Sequence, residues 1–568
     1  MKISRKHSVA AGLGVSIVAT FAAFGAGGAE TANQIPRGVV LPPLSAPRAQ
    51  YFRAHPAEWA KFLAGLAQTP AATARATTTA GGTWSAVTKA PFNGLCSPLL
   101  LTDGTVMVAS CDTAIWYKLT PDNTGSYANG TWTQLASLPV IGGTQYAPQY
   151  HASAVLPDGR VIIEGGEYNG SGSGVWTNLG AIYDPIANQW TAVAPPTGAA
   201  WANIGDAEST VLANGTYMLA TCCGNPDADA LLDPKTLTWT ATGAPTAGLL
   251  YQDEQGYELL PNSDVLTVDI WTNYNSNGNA TNAERYSPST GTWSSAGNTP
   301  VSLPDPFACG NFEIGPAVLR GDGTVVAFGG NTGCQAPTAD PTAIYKYKKN
   351  TWEAGPNVPA VCGSDGATSC SLPDSPAALL PNGNILFAAS ASFGGRPTHF
   401  FEYTATNTIQ QVSDPLFNST KSGAYYYNFL VLPNGQILMT DFSKMAEVYS
   451  FAGSPLANLA PVVTKVPTTI VAGKSYIVRG KQLNGRTQGA YYGDDAQMAT
   501  NYPIVQITNT ASGHVFYART VNPSTMTVAP DAPGYAHFSV PAGIETGPSS
   551  LVVIANGAAS QAVSVTVN

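Results

Sequence analysis

Charge is what this 568-residue chain has least of: Asp, Glu, Lys and Arg make up 11% of it, against about 25% in an average globular protein. There are six His and seven Met. Beyond the first 29 residues no apolar run approaches the roughly 20 residues a membrane-spanning helix needs. Cations are scarcer than anions, 26 Lys and Arg against 35 Asp and Glu, a net charge of −9 that becomes −12 once Lys2, Arg5 and Lys6 leave with the leader described below. No basic run remains to neutralise a phosphate backbone, so nucleic acid is excluded as a partner, and a membrane span with it.

What the chain does have is 44% hydrophobic residues, 58 Gly and 43 Pro, a composition of frequent turns that points to an all-β protein. Residues 1–29 read as a secretory signal: the three cations are followed by an apolar or small stretch from Val9 to Phe24, and Gly27 and Ala29 offer a cleavage site. The mature protein is therefore expected to be secreted, extracellular or periplasmic, and monomeric. Residues 30–81 form an N-terminal segment with a short amphipathic stretch over 51–66 and a low-complexity linker, QTPAATARATTTAG.

From residue 82 to 459 one unit recurs seven times: an apolar strand, a tight turn, a second apolar strand, a Tyr-rich strand and a Trp strand. The turns are Asp103-Gly104, Asp158-Gly159, Asn214-Gly215, Asn262-Ser263, Asp322-Gly323, Asn382-Gly383 and Asn434-Gly435, spaced by 55, 56, 48, 60, 60 and 52 residues. Asn-Gly and Asp-Gly suit the positive φ angles of a two-residue hairpin. A unit of roughly 50 residues with Trp132, Trp190, Trp239, Trp293 and Trp352 on its last strand reads as a blade of a kelch-type propeller. The seventh unit ends at MAEVYSF without its Trp strand, while Gly82-Thr83-Trp84-Ser85 precedes the first hairpin with no blade of its own. That strand is expected to complete the seventh blade and close the ring, which also removes exposed sheet edges. Residues 460–568 lose the repeat and read as a separate β-sandwich.

An export signal favours disulfides over metal thiolates. Cys96 and Cys111 lie symmetrically about Asp103-Gly104 and are expected opposite one another across the hairpin. Cys309 and Cys334 nearly repeat this about Asp322-Gly323, Cys362 and Cys370 can close a short loop, and adjacent Cys222 and Cys223 form a vicinal bridge or none.

Ligands of propellers usually sit at one mouth of the central channel. Counting eight residues back from each turn, or nine in the fifth unit, compares equivalent positions there: Leu95, Tyr150, Asp206, Glu254, Glu313, Asp374 and Tyr426. Four carboxylates in seven places would repel one another. A bound Ca²⁺, sugar hydroxyls, or a general acid/base pair would each offset that repulsion. Bonds to backbone N–H groups or buried water would offset it too. Asp253 and Glu208 flank the ring as further candidates. No nucleophile elbow, phosphate loop or zinc cluster is present.

The chain resembles the galactose oxidase and glyoxal oxidase family of secreted copper radical oxidases, and more closely its bacterial kelch relatives, over the propeller and the C-terminal sandwich. The resemblance implies a seven-bladed propeller followed by an immunoglobulin-like "early set" domain. It also implies a site built from a tyrosine cross-linked to a cysteine, a stacking aromatic, an axial tyrosine and two imidazoles. Cys96 in GLCSPLL and Tyr150 in QYHASAVLPDGRVIIEGGEY stand where the cross-linked pair belongs, Tyr168 takes the stacking place, and Tyr425 in AYYYNFLVLPNGQ that of the axial tyrosine. The imidazole places hold Tyr426 and, in YYGDDAQMATNYP, Gln497. Phenol and amide are far poorer Cu(II) ligands than imidazole, and a Cys96–Cys111 bridge would forbid the thioether. His7, His55, His151, His399, His514 and His537 match no copper position, and His151, next to Tyr150, is expected between blades. Copper is thus not expected, while calcium remains open. The expected partner is an extracellular carbohydrate or small polyol, with Asp206, Glu254, Glu313 and Asp374 as acid/base or metal-holding groups and Tyr150, Tyr168, Tyr425, Tyr426 and Gln497 positioning it. The same tyrosines would also serve as ordinary blade packing. A working oxidase with unconventional ligands and a protein-binding surface propeller are the rival readings.

Overall fold

The computed structural model describes residue 56 and residues 81–568, apart from 171–175, 223–226, 247–251, 253–254, 270–280, 305–313, 331–338, 363–369, 392–394, 421, 489, 493–496, 499–500 and 530; of 490–492, 497 and 498 it describes the backbone. The expected signal sequence and linker, and His7, His55, Cys223, Asp253, Glu254, Cys309, Glu313 and Cys334, lie outside the described residues. Among those described, no helix is long and apolar enough to cross a membrane.

Among the described residues seven antiparallel blades follow one another along the chain; six are four-stranded sheets, and the four strands of the sixth blade belong to a seven-stranded sheet that also takes in Cys370–Ser371, Ala490–Tyr492 and Gln497–Met498. The innermost strands of the blades are Leu95–Leu100, Ala152–Val155, Ser209–Val211, Glu258–Leu259, Ala317–Leu319, Pro376–Leu379 and Asn428–Val431. The first three strands of the seventh blade come from the end of the ring, and the fourth is Thr83–Ala86, with Trp84 opposite Tyr449. The ring closes as the sequence predicts.

Each Trp on an outermost strand donates its indole N–H to a backbone carbonyl of the preceding blade or its exit. Trp84 reaches Ser413, Trp132 Thr88, Trp190 Ala136, Trp239 Ala194, Trp293 Gly243 and Trp352 Ala296, at 2.7–3.1 Å. The sixth blade ends on Ile409–Gln411 and carries no such pin.

The hairpins differ from expectation in one respect. They are three-residue loops, not two: in every blade the residue before the loop donates its N–H at 2.8 Å to the carbonyl four positions on, from Leu101 to Thr105 through Leu432 to Gln436. The Gly, or Ser263 in the fourth blade, is the last loop residue and takes φ between 71° and 87°. This is a type I turn with a bulge. The Asp or Asn is needed for a different reason than a positive φ: its side-chain Oδ1 accepts the N–H two residues on, as Asp158 does from Arg160 and Asn382 from Asn384, both at 3.0 Å.

Apart from Ala490–Tyr492 and Gln497–Met498, the strands from Val462 to Val567 form their own nine-stranded arrangement, antiparallel except where Thr469–Ile470 runs parallel to Val563–Val567. Alternate residues such as Val505, Ile507, Phe538, Leu551 and Val553 enclose its core. This C-terminal region and the chain leading into it lie against the loops of all seven blades. Thr520 N–H donates to Thr102 O at 3.1 Å, Asn522 N–H to Pro157 O at 2.6 Å, Met526 N–H to Ala213 O at 2.9 Å and Leu456 N–H to Pro381 O at 2.8 Å. Ser263 and Thr527 share a hydroxyl contact of 3.1 Å. At the remaining two loops, Leu459 packs on Gly321 and Gly557 on Gly435. The turn end of the ring is therefore covered.

A hairpin from the same region threads the axis. Gln488 Oε1 accepts the N–H of Leu259 at 2.9 Å, Tyr502 donates its hydroxyl to Leu100 O, and Ala490–Tyr492 pairs antiparallel with the sixth inner strand, Tyr492 beside Pro376. The chain thus rises from the turn end toward the end where inner strands begin. A residual space of about 40 Å³ remains beside it, against the second and third inner strands.

Candidate functional site

Counting back from the turns locates the strand-start end. Tyr150, Asp374 and Tyr426 each lie two residues before their inner strand, and Asp206 three before. Leu95 instead begins its strand, because the first hairpin shifts register between Cys96 and Leu99, where Ser97 takes φ +44° and donates its N–H to Asn428 Oδ1 at 2.9 Å. The same shift corrects the Cys96 register. Cys96 pairs with Ala109, and Cys111 lies beyond the strand, its N–H on Gly94 O at 2.9 Å. The two cysteines are nevertheless bonded, with Cα atoms 5.8 Å apart, and Cys362 is bonded to Cys370. Cys222 is also in a disulfide.

At this end the structure assembles a chain of five rings from the second and seventh blades. Tyr150 meets Tyr168 edge-on at 5.9 Å and Phe442 at 6.1 Å, Phe442 meets Tyr426 edge-on at 5.4 Å, and Tyr426 lies 4.2 Å from Tyr425. Local structure holds them there. Tyr168 is on a two-residue strand pairing Pro148–Gln149, Tyr425 and Tyr426 are in a single 3-10 turn, and Tyr150 and Phe442 take φ of +49° and +60°. Non-glycine residues rarely hold such angles unless packing enforces them. Tyr150, Tyr168 and Tyr425 are buried, whereas Tyr426 and Phe442 are half-buried and form the accessible part of the wall. Burial, then neighbouring phenols, raise the Tyr150 and Tyr425 hydroxyls well above their ordinary range. Both stay protonated and can donate hydrogen bonds.

Two carboxylates accompany the rings: buried Glu167 acts on Tyr150 and half-buried Asp374 on Tyr425. Asp374 is itself fixed at φ +54°, with its N–H on Ile314 O at 3.3 Å. Asp374 is thereby joined to the tyrosines. Asp206 is buried on the third blade after Gly205. Gln497 has its backbone opposite Tyr491 in the threaded hairpin.

The histidines are occupied elsewhere. His151 is fully buried edge-on to Trp116 at 6.2 Å, and burial pulls its pKa down to about 4. His399 contacts Asp414 at 3.0 Å, His514 contacts Glu545 at 2.6 Å, and His537 faces Tyr535. Among the described residues no group of three or more His, Cys, Asp or Glu is arranged to hold a metal ion. A surface cleft of about 470 Å³, lined by Thr124, Ser126, Gln436 and Phe451 among others, opens beside the first and seventh blades and includes the Asn434-Gly435 turn, so it is not at the strand-start end.

Sequence reasoning missed Phe442 and Glu167, although Glu167 adjoins Tyr168. It also missed a set of carboxyls between the third and fourth blades, buried Asp229, Asp269 and Glu284 with half-buried Asp227 near them. These lie on or beside second and third strands, outside the inner-strand count. In so weakly charged a chain, acids flanking apolar strands were the available signal.

Protein-family models and curated proteins yield no match to this chain. Solved structures do. A fungal alcohol oxidase described as catalytically diverse among the AA5 family, in complex with copper, aligns at TM-score 0.45 and 12% identity over 86% of this chain and 99% of its own. The extracellular domain of a putative one-component system from B. thetaiotaomicron aligns at 0.40 and 11%, over 84% and 57%. A protein of unknown function from Dyadobacter fermentans aligns at 0.33 and 14%, over 57% and 97%. At these scores the likeness carries nothing about activity.

Proposed function

We propose that this is a secreted propeller of galactose oxidase-like fold that binds or processes an extracellular carbohydrate or small polyol at the strand-start mouth, without a copper radical. In this reading 82–459 is a kelch propeller and 460–568 an immunoglobulin-like early set sandwich whose role is to cover the turn end and thread the axis. The observation that carries it is the aromatic wall of Tyr426 and Phe442, backed by Tyr150, Tyr168 and Tyr425 and bordered by Asp374. A sugar presents C–H faces that stack on phenyl rings and hydroxyls that donate to a carboxylate, and this wall offers both surfaces. The count along the sequence adds Asp206, Glu254 and Glu313 as candidate acids, and the family resemblance adds Gln497 as a candidate polar group.

The residues do not fit copper. Cys96 is bonded to Cys111, so its sulfur is not available for a thioether to Tyr150, and Tyr426 and Gln497 offer phenol and amide where imidazoles are needed.

The test joins metal content, by mass spectrometry after exposure to copper and to calcium and exhaustive dialysis, with calorimetric titration of neutral oligosaccharides. The reading expects no stoichiometric copper and sugar affinity that falls about tenfold in Tyr426→Ala, as loss of one stacking ring would give, and also falls in Asp374→Asn. Retained calcium would assign the acids to that ion. One tightly held copper with peroxide release would overturn the reading in favour of the oxidase. Absence of sugar binding, with a protein partner held equally by wild type and both variants, would overturn it in favour of a surface adhesin.

A further inference from the structure

Charge is divided unevenly along the chain. Residues 30–459 carry 17 Lys and Arg against 31 Asp and Glu, a net charge of −14, whereas residues 460–568 carry six against four, a net charge of +2. Three of those six cations stand on one face of one sheet. In it Val462–Lys465 pairs with Ser475–Lys481, that strand with Gly534–Ser539, and that one with Val515–Val521. Val478, Ala536, Phe538 and Ala518 belong to the core, so the alternate residues stand on the opposite face. There Lys465 lies opposite Arg479, Arg479 opposite Tyr535, Ile477 opposite His537, and Lys481 opposite Val462.

This face has two parts. At one edge it docks on the ring: the Tyr517 ring lies against Gly104, and Arg519 donates to Asp158 O at 2.6 Å. Beyond that edge Lys465, Arg479, Lys481 and Tyr535 are exposed and His537 is half-buried. Directly paired residues of a sheet sit about 5 Å apart and second neighbours along a strand about 7 Å, so three positive charges share a small area. Like charges directly opposite one another destabilise a sheet. Among the described residues no carboxylate pairs with any of the three, whereas Arg160, Arg285, Arg320 and Lys346 of the ring each meet one. Arg479 lies over the Tyr535 ring at 5.5 Å, and His537 meets that ring edge-on at 5.8 Å. In a chain with so few charges, this trio is a surface that lacks its counter-charge.

We propose that this face binds a single strand of an acidic polysaccharide, a polyuronate whose successive carboxylates lie along Lys465, Arg479 and Lys481 while a sugar ring rests beside Tyr535. The surface is an open sheet face, which suits an extended polymer better than a small molecule that needs enclosure. A guanidinium donates two parallel hydrogen bonds to a carboxylate from the edge of its fork, and stacking over Tyr535 leaves that edge free. The phenol ring packs on the C–H face of a sugar. A nucleic-acid duplex or an anionic bilayer would spread its charge across the −14 ring as well, whereas one narrow strand can follow the three cations and leave the ring in solvent. The site belongs to the C-terminal region, which covers the turn end, and does not rest on the reading of the strand-start mouth.

The test is calorimetric titration of the whole mature protein with a defined oligogalacturonate, against an uncharged oligosaccharide of the same length. Binding is expected to weaken several-fold between about 20 and about 150 mM salt. It is expected to fall about threefold in Lys465→Ser or Lys481→Ser, and about tenfold or more when both are combined with Arg479→Ser. Arg479→Lys keeps the charge but loses the fork, and should fall between wild type and the triple variant. All three positions are exposed, so an unchanged denaturation midpoint shows that affinity rather than folding is being read. Tyr426→Ala should leave oligogalacturonate binding unaltered, which separates this site from the mouth. Undiminished binding in the triple variant would overturn the proposal, as would equal affinity for the uncharged control or no binding at the lower salt. Tighter binding of duplex DNA or anionic lipid vesicles through the same three residues would overturn the polysaccharide as the partner.

Discussion

The two ends of the propeller are built on opposite principles. At the turn end seven loops repeat one geometry, each with a 2.8 Å bond across its base and an Asx side chain bracing it. At the strand-start end the described positions before the inner strands hold Tyr150, Asp206, Asp374 and Tyr426, a different set from blade to blade. A ring must solve the same closure and capping problem seven times, so what recurs is scaffold. A ligand needs an asymmetric set of groups, so what varies among blades is where specificity can be stored. The comparison predicts that changing a repeated residue costs stability and leaves sugar affinity alone, the reverse of Tyr426→Ala.

The largest effect is expected at the ring closure. Trp84 is buried, donates to Ser413 O at 2.7 Å and meets Phe400 edge-on at 5.2 Å. Trp84→Ala removes that packing and leaves a cavity where the first strand joins the last, and should cost about 3–5 kcal/mol in denaturant unfolding. Binding measured well below the shifted midpoint should be unaltered. A loss of affinity without a loss of stability would break the division between repeated and varied residues.

Next comes the contact between the turn end and the C-terminal region. Gly104 takes φ +77° with the Tyr517 ring so close that a Cβ would lie 2.5 Å from Cγ. In Gly104→Ala the left-handed strain of about 1 kcal/mol adds to overpacking of about 1–3 kcal/mol. A cost of about 3 kcal/mol is expected, read as a lower denaturation midpoint. A neutral result would mean that the C-terminal region is held mainly by its threaded hairpin.

The same contrast explains what could be read in advance. Repetition is visible in one sequence, so the seven blades, the closing strand at Thr83–Ala86 and the Cys96–Cys111 bond were all legible. The register of that bond was not, because the shift after Cys96 follows from Ser97 reaching Asn428, 331 residues away. The loop length was misjudged because Asp-Gly serves two-residue and three-residue turns alike, and the braced Oδ1 that distinguishes them here is a local geometric fact. At the varied end, Tyr150, Tyr168, Tyr425 and Tyr426 were identified one by one. Their link through Phe442 was hidden, since Phe442 belongs to no counted position. The carboxyls buried between the third and fourth blades were the least legible, because Asp229, Asp269 and Glu284 come from two blades and no spacing unites them.

The smallest test probes the one loop that departs from the pattern. Ser263 stands where the other six loops have Gly, at φ +71°. A left-handed L-residue costs about 1–2 kcal/mol, while replacing it by Gly raises the entropy of the unfolded chain by about 0.4–1 kcal/mol. The substitution also gives up the half-buried contact of Ser263 with Thr527 at 3.1 Å. Ser263→Gly is therefore expected to stabilise by about 0.5 kcal/mol, seen as a small rise in the denaturation midpoint. A clear destabilisation would mean that the hydroxyl contact to the C-terminal region outweighs the backbone strain, and that this loop is specialised for docking rather than an imperfect copy of its neighbours.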